Sequence, residues 1–299
     1  MPVANVPGPS GVDGSVSAIP VEFDQTFVDH GHRLVYDVYG SSSSPLVVYL
    51  HGLLLDAELN RGIAQALAEQ GHRVVLLDLL GHGRSDKPTH ASTYRIDSYA
   101  DQVIALLDHL GVEEAVLGGI SLGANVSLFA ATRYPERTRA LILEMPVLER
   151  AVPAAAMMFV PMVLCAHYGR RVMNVTSGLM RRIPRTRIGP LNSVLNAMSV
   201  SPDATSAVLH GVLVGPVAPT QEQRRSIQVP TLVLAHRYDL IHPFDDAVGL
   251  VGRMPNGVLV RARSPLELRL RPKRLTEEIV VFLSALDPTP ARRHPYRSA

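Results

Sequence analysis

The chain has 299 residues, 46% of them hydrophobic and 19% charged, so it can bury a full core and is neither a disulfide-framed miniprotein nor a disordered polymer. A net charge of +2 gives no reason to expect a nucleic-acid partner, although 27 of the 29 basic residues are Arg, with Lys87 and Lys273 the exceptions. A single cysteine, Cys165, permits no internal disulfide and no multi-cysteine zinc site; the expected compartment is the cytoplasm.

Residues 1–20 lack the basic start and apolar centre of a signal peptide and read as a loose tail. From Val21 short strands and helices alternate. Thr26 to Tyr39, turning at Gly31, predicts a hairpin, and Leu46 to Leu50 predicts a buried strand ending at His51-Gly52. A helix over 57–70 stops at Gly71, and a strand follows over 72–77. The pattern then repeats: helix 96–110, strand 115–118, helix 124–134 and strand 140–143. Alternating βα units of this length predict a mostly parallel, doubly wound α/β sheet.

From Pro146 to about Gln228 the strands stop. Helical stretches rich in Met, Ala, Val and Leu, interrupted by prolines, predict an inserted helical cap over 147–228. The core is expected over 21–146 and 229–286, with strands at 230–234 and 257–260, a closing helix at 274–286 and a loose tail over 287–299. The apolar run 151–166 is short for a membrane span and holds Pro153 and Pro161, so no spanning helix is expected.

Gly119-Ile120-Ser121-Leu122-Gly123 joins a predicted strand to a predicted helix, the context in which a G-x-S-x-G string lifts its serine above a sheet edge. His51-Gly52, Asp78 to Ser85, the Ser121 turn and Asp239 each follow a predicted strand, in that order. With these landmarks the chain resembles the α/β-hydrolase superfamily over 21–286. The resemblance implies Ser121 as nucleophile, Asp239 as the acid of a catalytic triad, and an oxyanion hole from the N–H groups of Leu53 and Leu122. It implies turn-shaping roles for His51 and His82.

The third triad member departs from the family pattern. Aligned on Pro272, Pro265 stands where the family carries its histidine, and no His lies between His242 and His294. The simplest expectation is a missing base. The possible substitutes are His242, three residues beyond Asp239, then His167 or His210 from the cap, and last His294 in the tail. Two readings follow: a serine hydrolase of a small or medium apolar ester or related carbonyl compound, or an impaired hydrolase-fold protein that binds a ligand or partner. Met157, Met158, Phe159, Met162, Val163 and Leu164 suit an apolar pocket under the cap, and they suit core packing equally.

No cofactor is expected, because His51 to Asp56 lacks the glycines of a dinucleotide turn. No metal is expected either, since His30 and His32 have no third ligand nearby. Ser rather than Asp at the nucleophile position disfavours haloalkane and epoxide chemistry. Two arginine groups, one over 261–274 and one comprising Arg170, Arg171, Arg181, Arg182, Arg185 and Arg187, could attract an anionic ligand or lipid headgroup.

Overall fold

The computed structural model describes residues 19–286 except Leu240. The two expected tails, apart from residues 19 and 20, lie outside the described residues, as does His294. Eight strands form one sheet: β1 (Val21–Asp29), β2 (His32–Tyr39), β3 (Leu46–Leu50), β4 (Arg73–Asp78), β5 (Ala115–Ile120), β6 (Thr138–Glu144), β7 (Thr231–His236) and β8 (Gly257–Ala262). Their order is β1-β2-β4-β3-β5-β6-β7-β8. Pairing is antiparallel at β1/β2 and β2/β4 and parallel from β4 onward.

Because strand side chains alternate, each central strand feeds two apolar layers. Val48, Leu50, Leu77, Leu117 and Leu143 face α2 (Ile96–His109) and α3 (Leu122–Arg133). Val47, Tyr49, Leu76, Val116 and Ile142 face α1 (Arg61–Ala68) and the closing helix Lys273–Leu286. This is the doubly wound arrangement read from the sequence. The expected helix over 57–70 is divided: Ala57–Asn60 is a 3₁₀ turn, and α1 follows it. Asp56 caps that turn, and the Ala57 N–H donates to Asp78 Oδ1 at 2.7 Å, which fixes the chain in the tighter winding.

Between β6 and β7 lie five helices: α4 (Val152–Tyr168), α5 (Arg170–Arg182), α6 (Gly189–Met198), α7 (Pro202–Val214) and α8 (Gln221–Arg225). Pro153, Pro190 and Pro202 stand in the first turns of α4, α6 and α7, where a missing N–H costs nothing, whereas Pro161 sits inside α4. After β7 come α9 (Phe244–Val251), the short α10 (Glu267–Leu270) and α11 (Lys273–Leu286). Among the described residues no single helix is long and apolar enough to cross a membrane.

The loop after β8 carries no histidine. Pro265 lies in an exposed turn, and α10 sends Arg269 into the interior instead. Arg269 Nη1 donates to both carboxylate oxygens of Glu144 at 2.7 Å, Nη2 donates to Asn60 Oδ1 at 2.8 Å, and Tyr49 Oη donates to Glu144 Oε2 at 2.8 Å. Burial works against the charge of Arg269, yet the adjoining Glu144 carboxylate raises its pKa further. Removing one partner of a buried pair strands the other charge. Arg269→Ala is therefore expected to cost about 3–5 kcal/mol in urea denaturation, and an unchanged midpoint would contradict this reading of the loop.

Candidate active site

Ser121 sits between the end of β5 and the start of α3, with φ 54° and ψ −109°. Positive φ is uncommon for a residue with a Cβ, and here the surroundings enforce it. The Ser121 N–H donates to the Glu144 carbonyl at 2.9 Å, and the Asn125 N–H donates to the Ser121 carbonyl at 3.1 Å. A Cβ on Gly119 or on Gly123 would lie 2.6 Å from the Leu50 carbonyl oxygen, so both glycines of the motif are required by close approach to β3. The turn stands at the C-terminal edge of the sheet where β4 and β5 flank β3, the switch point at which open α/β sheets bind ligands.

Where the sequence reading left the base open, the structure brings an imidazole against the serine. His242 Nε2 lies 3.0 Å from Ser121 Oγ, and His242 Nδ1 lies 3.0 Å from Asp239 Oδ2. The tautomer follows from the neighbours: an ionised carboxylate only accepts, so Nδ1–H donates to Asp239, and Nε2 keeps the lone pair that accepts the Ser121 hydroxyl proton. Asp239 and His242 come from one tight turn after β7. The N–H groups of Ile241 and His242 donate to Asp239 Oδ1 at 2.8 and 3.0 Å, so the carboxylate folds the chain that carries its own histidine.

Burial opposes ionisation of Asp239, but hydrogen bonds from the His242 ring and from two backbone N–H groups outweigh it. The carboxyl is held at about 2, below its ordinary 3.8.

His51 and His82 make their hydrogen bonds elsewhere. His51 Nδ1–H donates to the Gly52 carbonyl and Nε2 accepts from the Leu79 N–H, tying the ends of β3 and β4 together. His82 Nδ1–H donates to the Leu80 carbonyl. Burial lowers the pKa of both rings, holding them neutral. Neither ring makes a hydrogen bond to Ser121, and His167 and His210 lie in a separate cavity with Arg170 and Asp203.

Ser121, Leu53 and Leu122 line a common cavity of about 50 Å³, whose other walls include Ile96, Phe159 and Ile241. Leu122 opens α3, so its N–H lacks an intrahelical acceptor. Leu53 lies in the turn closed by the Leu55 N–H on the Gly52 carbonyl. The expectation for the Met-rich stretch is corrected here. Of the six residues named, Phe159 reaches the cavity, whereas Met157, Met158, Met162 and Leu164 are exposed.

Asn125, one turn beyond Ser121 on α3, carries no signal in the sequence reading. Its Nδ2 donates to the carbonyls of Val147 and Val217 at 2.7 and 2.6 Å, and its Oδ1 accepts from the Val147 N–H at 2.9 Å. One buried amide thus ties the entry to α4 and the α7–α8 loop onto the helix that follows the serine. An Asn at the fourth position of a helix after a G-x-S-x-G turn is visible only as a polar residue on an apolar face.

A family model for the alpha/beta hydrolase fold matches residues 45–256, and the chain belongs to that family. A haloalkane dehalogenase of Mycolicibacterium paratuberculosis is 31% identical over 126 residues, covering 41% of this chain and 42% of its own length. Epoxide hydrolase 4 of Mus musculus is 35% identical over 117 residues, 38% of this chain and 32% of its own. The chain thus matches less than half the length of either relative. Among solved structures, the enol-lactonase from Burkholderia xenovorans LB400 superposes with a TM-score of 0.70 at 20% identity, covering 87% of this chain and 100% of that one, a likeness of fold.

The depressed Asp239 pKa has a testable sign. A carboxyl lowered from 3.8 to about 2 adds stability that is present above its unfolded value and lost as pH falls through the folded one. The difference in urea midpoint between the native chain and Asp239→Asn is expected to shrink from roughly pH 5 to pH 2. A constant difference would contradict the assignment.

Proposed function

We propose that the protein is a serine hydrolase of a small or medium apolar ester or related carbonyl compound, with Ser121 as nucleophile, His242 as general base and acid, and Asp239 as its orienting carboxylate. The contact of His242 Nε2 with Ser121 Oγ at 3.0 Å carries this reading. Residues 147–228 act as the cap that roofs the reacting centre.

In the acylation step Ser121 Oγ bonds the substrate carbonyl carbon while its proton passes to His242 Nε2. The oxyanion is stabilised by the N–H groups of Leu53 and Leu122, and the dipole of α3 points its positive end at the same place. As the intermediate collapses, the bond to the leaving alcohol breaks and His242 returns the proton to that oxygen. Water then adds to the acyl-serine by the same route, its proton passing through His242 back to Ser121 Oγ. Asp239 stays ionised throughout, stabilising the imidazolium that forms twice.

The relatives named for haloalkane and epoxide substrates bear on the class only. A serine alkylated at an sp³ carbon would be an ether, which has no carbonyl for water to attack, so a serine at position 121 favours carbonyl substrates. The cavity bears on size: at about 50 Å³ it is a third of a cavity that admits benzene. It takes the short acyl end of a substrate, and longer chains require α4 to move.

In ester hydrolysis assays, Ser121→Ala and His242→Ala are each expected to lower kcat by about a million-fold, and Asp239→Asn by ~10⁴-fold. Acetyl or propionyl esters are expected to outpace decanoyl esters in free solution. Pro265→His is expected to leave the rate unchanged. Activity in His242→Ala close to that of the native chain would refute the assignment, and no turnover by the native chain on any such ester would favour the reading as a ligand binder.

A further inference from the structure

Helix α4 has two faces with different employments. Ala155 and Phe159 look into the Ser121 cavity. On the opposite side Met157, Val160, Leu164 and Tyr168 follow one another at helical spacing and are exposed, Met157 at 80% and Tyr168 at 81%. A helix that is apolar all round is ordinarily buried, yet only Ala166 of α4 is buried.

Helix α5 meets α4 at 99° and repeats the pattern with charge added. Ser177 is its one buried residue, while Val172, Val175 and Leu179 form an exposed stripe, Val175 at 73%. By helical spacing Arg171 and Arg182 border that stripe.

The charge of this surface is one-sided. Residues 151–202 contain six arginines and no Asp or Glu, in a chain whose net charge is only +2. All six arginines are exposed, and Arg170 pairs with Asp203 just beyond the segment. In the other basic group Arg269 is consumed by Glu144 and Arg274 by Glu267, while Arg261, Arg263, Arg271 and Lys273 are exposed between the end of β8 and the start of α11.

We propose that the outer face of α4 and α5 docks the protein on an anionic lipid bilayer, with the α4 side chains entering the acyl boundary and the arginines meeting headgroup phosphates. Exposed apolar residues beside a cluster of Arg are the composition of a helix lying in a membrane interface. A second copy of the chain is a poor occupant, because two such faces would bring like-charged arginine clusters together, with Asp203 the one carboxylate paired to either cluster. The inference deepens the hydrolase reading, since α4 would join the bilayer to the roof of the serine cavity, but docking itself does not require turnover.

The test uses full-length Ser121→Ala protein, so that binding is read independently of catalysis. Cys165, the chain's single cysteine, is exposed on α4 and accepts a polarity-sensitive thiol dye. Vesicles of phosphatidylcholine with about 30 mol % phosphatidylglycerol should blue-shift the dye and carry the protein upward in flotation, whereas pure phosphatidylcholine should do neither. Salt at about 0.5 M should release most of the protein. Met157→Asp with Leu164→Asp, and separately Arg171→Glu with Arg182→Glu, should each weaken binding by about tenfold or more while leaving the far-ultraviolet circular dichroism and melting temperature unchanged.

Absence of flotation with anionic vesicles, equal binding to neutral ones, or equal binding of the variants would overturn the proposal. So would sedimentation velocity showing a dimer of the native chain that these variants dissociate, since the face would then be covered by a second copy.

Discussion

The arrangement around Ser121 depends on one constraint: a backbone held at positive φ where β5 gives way to α3. Every contact that enforces it is local to the sheet edge. The Leu50 carbonyl leaves no room for a Cβ on either motif glycine, and the Ser121 N–H continues the ladder from β5 to the Glu144 carbonyl. The strain is sustained because the central strands around it are fully buried and cannot relax. What the strain yields is a hydroxyl projecting from the sheet edge into a small apolar cavity.

Electrostatics at that edge is shaped by two short devices. The Asp239 turn brings carboxylate and imidazole together from residues three apart within a single loop. The loop after β8 is used structurally: Arg269 enters the interior and pairs with Glu144, whose carbonyl in turn holds the Ser121 N–H.

Much of the fold was legible from period and punctuation, because βα alternation and the apolar core strands follow from side-chain geometry alone. The Ser121 turn was legible because glycine spacing reports a backbone conformation. The partner of the serine was legible only as the first of several substitutes, His242, beside the simpler expectation of a missing base. A histidine three residues after an aspartate is placed by an Asx-type turn, whose curvature depends on two backbone N–H groups reaching one carboxylate oxygen, and no residue type announces that. Asn125 was invisible for a related reason: its partners, Val147 and Val217, are main-chain groups far away in sequence. The Met-rich stretch misled because periodicity shows that a helix is apolar on every side without showing which side the core occupies.

Family membership fixes the scaffold, and the proposed chemistry rests on the three side chains at its edge. Their joint action is tested most directly by phosphonylation. A fluorophosphonate reagent should add to Ser121 of the native chain, located by peptide mass spectrometry, and fail to add to folded His242→Ala under the same conditions. Equal labelling of both proteins would contradict the account, because the hydroxyl would then be reactive without the imidazole that is held to activate it.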